Sequence, residues 1–314
     1  MTTKISNSGF SDWKPNQLPN LSGKTYVITG ANSGLGFEAS KMLVAKGANI
    51  VMVCRSAERS EGARNALTRT ATGSVDLIEM DLGNLTSIRS AAETLRNRIN
   101  KIDGLVNNAG IMNTPEGKTK DEFELQFGTN HLGPFLWTGL LIDLVEAATG
   151  RVVLVTSAYH KKGQINIDNL MLTDEYTPAA GYDQSKLANL MFAIELDRRL
   201  KATGSPASCM ACHPGFSSTN LMLSNGGFAG FITKHILNRF VAQPAEAGAV
   251  PIVLAAAGVE AQPGGFYGPQ KGGEMRGPVS DASAGEQALD EDMQAHLWAE
   301  SERLVEFKWE PLGA

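Results

Sequence analysis

The sequence feature that most constrains the fold is a glycine-containing turn that joins an apolar strand pattern to a helical pattern. The turn is TGANSGLG, residues 29–36; KTYVIT precedes it, and FEASKMLVAKGA follows it with apolar residues at helical spacing. At such a junction the first main-chain N–H groups of the helix face a phosphate, and glycine permits its close approach. The turn therefore predicts a nucleotide-binding α/β fold, although its G-x-x-x-G-x-G spacing differs from the more familiar G-x-G-x-x-G.

Aliphatic strand patterns alternate with amphipathic helix patterns along the sequence. The strand candidates are VIT, IVMVC, VDLIEM, GLVNN, RVVLVT, ASCMACH and GGFY. No Pro/Gly/Ser-rich linker or change of composition divides the 314 residues. We predict one domain over residues 1–314, with a Rossmann-type, doubly wound parallel sheet of about seven strands and helices on both faces.

A second constellation concerns proton transfer. Tyr182 and Lys186 in GYDQSKLAN stand at i and i+4, so a helix places both on one face. Free tyrosine has a pKa of about 10, and a cation beside the phenol lowers it. This spacing is common on amphipathic helices, but after a nucleotide-binding turn it predicts a pair that moves a proton on or off an oxygen.

The combined motifs resemble those of the short-chain dehydrogenase/reductase family, most closely its retinol dehydrogenase branch. The resemblance extends over residues 20–270 and rests on TGANSGLG, DLGNL, NNAG, TNHLGPF, VLVTSA, YDQSKLAN and HPGFSST, in this order. It implies an oxidoreductase that interconverts a carbonyl and an alcohol by hydride transfer, with NADP(H) as the cofactor. Members of the family often form dimers or tetramers, so a homo-oligomer is a further expectation.

The resemblance assigns catalytic roles to Asn130, Ser157, Tyr182 and Lys186. Ser157 and Tyr182 would polarise the substrate oxygen, with Tyr182 transferring the proton. Lys186 would lower the tyrosine pKa and hold the nicotinamide ribose, and Asn130 would mark a local helix kink and connect the site to water. The simpler alternative for Asn130 is a buried cap. Thr156 is the hydroxyl that competes with Ser157, but strand alternation directs it the other way.

The resemblance also implies which residues contact the cofactor. Some have simpler alternatives, because Asp81 or Thr219 could cap the helix that follows it. The expected contacts are Gly30, Asn32, Ser33, Gly34, Leu35, Gly36, Arg55, Ser56, Asp81, Leu82, Asn108, Ala109, Gly110, Tyr182, Lys186, Pro214, Gly215 and Thr219.

Cofactor preference is predicted from the end of the second strand. Folds that prefer NAD usually place an acid there to hold the ribose hydroxyls. This chain has Cys54 followed by Arg55 and Ser56, so no carboxylate repels a 2′-phosphate and a guanidinium is available to bind one. The sequence favours NADP(H), with a solvated arginine as the alternative interpretation of Arg55.

The family resemblance implies a small-molecule carbonyl or alcohol as the partner, and composition argues against other classes of partner. The net charge is −5 and the basic residues are scattered, which argues against a nucleic-acid surface, and no metal site is indicated. Residues 1–20 form a polar extension without the apolar core of a signal peptide or membrane anchor, so we expect a cytoplasmic protein. Residues 216–243, which combine apolar groups with glycines, suggest a lid over a lipophilic substrate or an ordinary packed helix. Residues 270–314 match the family poorly.

One motif is typical of a different function, covalent haem attachment, but is interpreted here as structural. Cys209-Met210-Ala211-Cys212-His213 spells C-x-x-C-H, the form used for covalent haem attachment. In a strand, residues three apart point to opposite faces, so the sulfurs diverge. Two other functions stay open: C=C reduction in the manner of protochlorophyllide reductase, and a non-enzymatic cofactor-sensing role.

Overall fold

An eight-stranded sheet forms the centre of the protein, and the computed structural model describes residues 2–216 and 243–309. The strands are β1 (Thr2–Lys4), β2 (Thr25–Thr29), β3 (Asn49–Cys54), β4 (Val75–Glu79), β5 (Gly104–Asn107), β6 (Arg151–Val155), β7 (Ser208–Cys212), β8 (Phe266–Lys271), β9 (Arg276–Asp281) and β10 (Ser283–Gly285). The sheet order is β4-β3-β2-β5-β6-β7-β8-β9, and a separate two-stranded sheet pairs β1 with β10. Strands β2 to β8 are parallel, and β9 is antiparallel to β8.

Helices cover both faces of the sheet. They are α1 (Gly34–Val44), α2 (Ala57–Thr68), α3 (Leu85–Arg96), α4 (Leu125–Phe127), a π-helical turn (Gly128–Leu132), α5 (Gly133–Gly139), α6 (Ile142–Glu146), α7 (Pro178–Thr203), α8 (Ala245–Ala257) and α9 (Glu291–Leu304). Short 3₁₀ turns occupy Pro15–Gln17, Ala158–Lys162, Ile167–Asn169 and Glu286–Leu289.

Two apolar layers sandwich the sheet, because alternate strand residues point to opposite faces. Val27 and Leu105 pack with residues of α3, α5, α7 and α9 in one layer. Ile28 and Ile50 pack with residues of α1 and α8 in the other. This two-sided burial confirms the doubly wound α/β fold predicted from the alternating patterns.

The sheet has eight strands, one more than the seven strand candidates of the sequence. The additional strand, β9, has the sequence RGPVSD, which lacks a regular apolar alternation and has Gly277 at a φ of +100°. Proline removes a ladder donor and is confined mainly to edge strands, and β9 with Pro278 is the edge of the sheet. Its residues belong to the segment after 270 that the family motifs do not reach.

The amino-terminal residues pack on this carboxyl-terminal segment. Strand β1 pairs with β10, and Ser8 donates its hydroxyl to Asp281 at 2.7 Å. The indole of Trp13 is 2% exposed and its Nε1 donates to Glu260 at 2.8 Å. The polar extension predicted for residues 1–20 is therefore partly built into the fold. Within residues 2–216 and 243–309, none of the helices has the combined length and apolarity needed to cross a bilayer.

Candidate active site

Ser157 and the predicted cofactor contacts in the loops follow the carboxyl ends of strands β2 to β7, which meet at one edge of the sheet. Asn130 lies in the π-helical turn, and Tyr182 and Lys186 lie on α7. In open parallel sheets the ligand crevice lies outside this edge, where the strand order reverses. Here the reversal lies between β2 and β5, because the chain runs outward from β2 to β4 and then returns to β5. The topology therefore brings the dispersed motifs to one crevice.

The glycine turn has the geometry of a phosphate cradle. Gly30 and Gly34 have φ values of +69° and +53°, which favour glycine. A Cβ at Gly36 would lie 2.6 Å from Asn108 Nδ2 and would also meet the carbonyl oxygen of Gly30. The exposed Ser33 precedes α1 without making a side-chain cap, so the first N–H groups of α1 remain open to an anion. These residues fit the pyrophosphate of a dinucleotide, and Asn32 and Leu35 are half-buried beside them.

The segment after β5 is braced against the end of β2. Thr29 Oγ1 accepts hydrogen bonds from the main-chain N–H groups of Asn108 at 2.9 Å and Ala109 at 3.0 Å, and Asn108 Nδ2 donates to the Thr29 carbonyl at 2.8 Å. A Cβ at Gly110 would lie 2.9 Å from Asn130 Oδ1 and 3.4 Å from Lys186 Nζ. Glycine at position 110 therefore permits the loop to pass close to the predicted catalytic residues.

Ser157 and Tyr182 are brought together as predicted. The hydroxyl of Ser157 accepts the Tyr159 main-chain N–H at 3.3 Å, which leaves its own proton free for another acceptor. Burial raises the pKa of Tyr182 to about 12, and a hydrogen bond with Ser157 opposes this shift. Thr156 Oγ1 instead donates to the main-chain carbonyl of Lys186 at 2.6 Å, which removes it as the competing hydroxyl.

Lys186 lies behind the tyrosine but does not lower its pKa in this structure. Its Nζ is 5.7 Å from the centroid of the Tyr182 ring and donates to the Val155 carbonyl at 3.1 Å. Burial lowers the pKa of Lys186 itself to about 8, partly opposed by Cys212. The expected lowering of the tyrosine pKa is not found in this structure, because desolvation of the buried phenol is the largest cause of its shift.

Asn130 occupies the π-helical turn Gly128–Leu132, so the helix distortion expected before Gly133-Pro134 is present. Its fully buried side chain makes three hydrogen bonds. Nδ2 donates to the Ile111 carbonyl and to Ser185 Oγ, both at 2.9 Å, and Oδ1 accepts the Ile111 N–H at 2.8 Å. The side chain therefore joins the loop after β5 to helix α7.

The corner after β3 contains a carboxylate that the sequence did not predict. Arg55 is exposed, and Ser56 caps α2 by accepting the Arg59 N–H at 3.3 Å. Glu79, at the end of β4, pairs in register with Cys54 and accepts the Ala57 N–H at 2.8 Å. The statement that no carboxylate is present here is therefore wrong: linear sequence places Glu79 far from Arg55, and strand pairing brings it to the same corner.

Asp81 and Leu82 lie in the loop between β4 and α3. Asp81 Oδ1 accepts the Gly83 N–H at 2.9 Å, and the side chain of Leu82 is buried against Gly133. Helix α3 is capped by Asn84, whose side chain accepts the N–H groups of residues 86 and 87. Asp81 is consequently not the helix cap, which leaves the predicted adenine contact as its interpretation.

The loop after β7 is held by the β8–β9 turn. Gly215 has a φ of +66°, and a Cβ there would collide with the Met275 carbonyl oxygen. The same carbonyl accepts the Phe216 N–H at 2.8 Å, which fixes the main chain beside Pro214. Thr219 and nearly all of the predicted lid 216–243 lie outside the described residues.

The C-x-x-C-H run forms strand β7 and the residue after it. Cys209 packs in one apolar layer and Cys212 in the other, as strand alternation predicts. Burial raises the pKa of both thiols well above the ordinary value of a cysteine. Neither sulfur can therefore serve as a readily ionised ligand or nucleophile.

Tyr159 is a site residue that sequence reasoning did not single out. Its ring is 38% exposed, and its centroid lies 6.2 Å from that of Tyr182 in an edge-on arrangement. Lys162 Nζ stands 5.1 Å from the same ring. An exposed aromatic ring beside the candidate acid provides an apolar wall for a substrate, and its position two residues after Ser157 is the signal that could have identified it.

Comparison with known proteins identifies the family. The sequence profile described as short chain dehydrogenase matches residues 24–226. The chain belongs to this family. Human retinol dehydrogenase 13 is 37% identical over 292 residues, covering 91% of this chain and 85% of that protein. Polyprenol dehydrogenase of Danio rerio is 32% identical over 297 residues, covering 93% of this chain and 89% of that protein.

A solved structure supports the same assignment. An uncharacterized protein of Mycobacterium paratuberculosis is 38% identical, with a TM-score of 0.79 over 95% of this chain and 99% of that chain. The resemblance to the retinol dehydrogenase branch drawn from the motifs is thereby confirmed. As a short-chain dehydrogenase, the protein is an oxidoreductase that uses a nicotinamide cofactor.

Proposed function

We propose that this short-chain dehydrogenase reduces a lipophilic aldehyde or ketone to its alcohol with NADPH as the preferred cofactor. The observation that carries the proposal is the placement of Ser157 beside Tyr182, with Lys186 Nζ 5.7 Å from the tyrosine ring, at the sheet edge that also holds the open glycine turn. Nucleotide cradle, proton donor and oxygen-binding hydroxyl therefore share one crevice.

The protonation states favour catalysis in the direction of reduction. A bound nicotinamide cofactor would supply the hydride. With a pKa of about 12, Tyr182 carries its proton at neutral pH and can donate it to the substrate oxygen as negative charge develops there. Ser157 can donate a second hydrogen bond to that oxygen, which stabilises the same charge. Lys186, with a pKa of about 8, is still mainly an ammonium at pH 7 and is suited to hold a ribose hydroxyl.

NADP(H) preference rests on the exposed Arg55 at the end of β3. A guanidinium binds a phosphate through charge-assisted hydrogen bonds worth roughly 1.5–3 kcal/mol, or about one to two orders of magnitude in affinity. Glu79 opposes this preference because its carboxylate lies at the same corner. We therefore expect kcat/KM with NADPH to exceed that with NADH, and Arg55→Ala to narrow the difference. Equal efficiency of the native enzyme with both cofactors would contradict the assignment.

A lipophilic substrate is supported by two observations. The exposed Tyr159 ring presents apolar surface next to Tyr182. Two similar proteins are named for retinol and polyprenol, which are both isoprenoid alcohols. Since each buried methylene contributes about 0.8 kcal/mol, two or three more carbons beside the carbonyl should raise kcat/KM roughly tenfold or more. Small polar aldehydes or sugars that outperform every aliphatic and aromatic carbonyl would refute the lipophilic pocket.

The central test combines three variants in an NADPH-oxidation assay over a series of aldehydes and ketones. Tyr182→Phe should lower kcat by roughly 10²–10⁴-fold with little change in NADPH affinity, because it removes a general acid. Ser157→Ala should lower kcat by about 100-fold. Tyr26→Phe is the matched control: Tyr26 is a buried tyrosine whose pKa burial likewise raises to about 12, but it lies at the amino end of β2. Near-normal turnover by Tyr182→Phe would exclude the proposed acid.

A further inference from the structure

A charged residue on the β8–β9 turn occupies a costly backbone conformation. Glu274 has a φ of +65°, in the left-handed region that costs a residue with a side chain roughly 1–2 kcal/mol. The glycines before it, Gly272 and Gly273, also have positive φ values, so the turn needs this conformation at three successive residues. A glycine at 274 would adopt it without the cost. The contacts of the glutamate side chain are therefore what can offset this cost.

The carboxylate of Glu274 bonds across two separate elements. Oε2 lies 2.8 Å from Nζ of Lys161, in the loop after β6, and Oε1 accepts the Ser283 N–H at 2.9 Å. The Glu274 side chain is 14% exposed and that of Lys161 is 28% exposed, so solvent reaches the pair mainly from the lysine side. Burial opposes ionisation of Glu274, but His213 and Lys161 together lower its pKa to about 2, so the carboxylate is charged.

On one side, this turn supports the loop that follows β7. His213 is fully buried, and burial lowers its pKa, so the ring is neutral. Its Nδ1 accepts the Gly215 N–H at 3.2 Å, which places the ring proton on Nε2, 3.7 Å from Glu274 Oε2. The adjacent residue, Met275, accepts the Phe216 N–H. Electrostatic attraction to Glu274 thus favours the histidine tautomer that holds Gly215.

On the other side, Lys161 stands in the turn that carries Ser157. The neighbouring His160 is buried, with its pKa lowered by burial to about 4. Its Nε2 accepts the Gly285 N–H at 3.0 Å, so Nδ1 carries the proton and donates to the Ser157 carbonyl at 2.7 Å. Strand β10, held at Ser283 by Glu274, therefore also supports the main chain of Ser157.

We propose that Glu274 is a positioning residue that fixes the Ser157 loop and the His213–Phe216 loop relative to one another. It does so through Lys161 and Ser283 toward the first loop, and through His213 toward the second. The inference rests on the proposed reductase function only for its kinetic readout, since loop mobility can be measured without substrate. Misplacement of a reacting group by about 1 Å can cost up to 10²-fold in rate, so a weakened link should reduce kcat.

The test uses Glu274→Gln, which keeps the shape and the acceptor for Ser283 but removes the charge. Glu122→Gln is a matched control: Glu122 also has a positive φ, +66°, and pairs with a lysine, Lys118, at 3.0 Å, but on an exposed surface. We expect Glu274→Gln to lower kcat roughly 10- to 100-fold and to speed hydrogen exchange in peptides spanning 157–163 and 213–216. The unfolding temperatures of the two variants should agree within a few degrees.

A second pair of variants keeps the inference falsifiable. Lys161→Met should reproduce the fall in kcat, whereas Lys161→Arg, which keeps the positive charge, should retain most of the wild-type activity. The Glu274→Gln, Lys161→Met double variant should have a kcat no lower than that of the poorer single variant. The proposal is overturned if Glu274→Gln matches Glu122→Gln in both kcat and loop exchange. It is equally overturned if exchange rises throughout the molecule, since the residue would then be only structural. Failure of the wild-type protein to reduce any carbonyl would reject the proposed function, while the exchange comparison would still decide the role of Glu274.

Discussion

Replacement of Asn130 separates a structural role from a catalytic one. Asn130→Ala removes three hydrogen bonds, those to the Ile111 carbonyl, the Ile111 N–H and Ser185 Oγ. Each is worth roughly 1 kcal/mol, and a main-chain group left without a partner in the interior costs about 1–3 kcal/mol. Because Ile111 is only half-buried, water can replace part of the hydrogen bonding that its main-chain groups lose. The free energy of unfolding should therefore fall by about 2–5 kcal/mol.

Equilibrium unfolding in urea, followed by circular dichroism, measures this change directly. Asn130→Asp provides a second comparison, because it can still accept the Ile111 N–H but cannot donate to the Ile111 carbonyl or Ser185. Its loss of stability at neutral pH should be at least as large as that of the alanine variant, because an ionised carboxylate would be buried against the Ile111 carbonyl oxygen. Asn166→Ala, at an exposed helix start where the side chain accepts the Asp168 N–H, is the control and should change stability by no more than about 1 kcal/mol.

The result that refutes the structural reasoning is an Asn130→Ala variant as stable as the control variant. A large loss of kcat with unchanged stability would instead assign the side chain to catalysis. We expect kcat of the folded fraction to fall as well, because Gly110 and Lys186 lie against Asn130 and would shift into the space it leaves.

Three further outcomes are expected. Glu79→Gln should raise kcat/KM for NADPH by roughly two- to fivefold in steady-state assays and leave NADH unchanged, because it removes a surface charge worth about 0.2–1 kcal/mol. Burial depresses the pKa of His131 and His160 from 6.5 to about 3 and about 4, so the unfolded chain binds more protons below pH 6.5. Stability in urea should then fall as the pH decreases, by roughly 1.4 kcal/mol per pH unit for each histidine. Cys209 and Cys212 should react with thiol reagents only after unfolding, and purified protein should show no haem absorption that survives denaturation.

The sequence was sufficient for the central architecture because hydrophobic periodicity reports burial directly. All seven strand candidates contain strands of the sheet, and the candidate site residues follow the strands whose ends meet. Strand β9 escaped prediction because Gly277 and Pro278 interrupt its pattern and because β9 is itself the edge of the sheet. The local sequence around it carries little information about a strand of this kind.

Electrostatics was less predictable than topology. The Tyr182–Lys186 spacing indicates proximity, but the sign of the tyrosine pKa shift depends on desolvation, which requires the packed structure. Glu79 and Glu274 reach the site through strand pairing and a distant turn, so no sequence window contains them together with Arg55 or Ser157. Contacts between residues so far apart in the sequence follow from the fold and could not be predicted from the sequence alone.

The pairing of β1 with β10 has a consequence for the order in which the chain assembles. Ser6 bonds to Asp281, a residue 275 positions later, so residues 2–18 find their partners only after nearly the whole sequence has been synthesised. Asn16 is an exception, because its carbonyl accepts from Lys46 Nζ, but for the residues before it loop closure over such a separation is entropically costly and slow compared with local contacts. The Rossmann core can therefore form on the ribosome before this segment packs against it. Docking of Trp13 beside Glu260 should be a late folding step, and its indole fluorescence a natural reporter of completion.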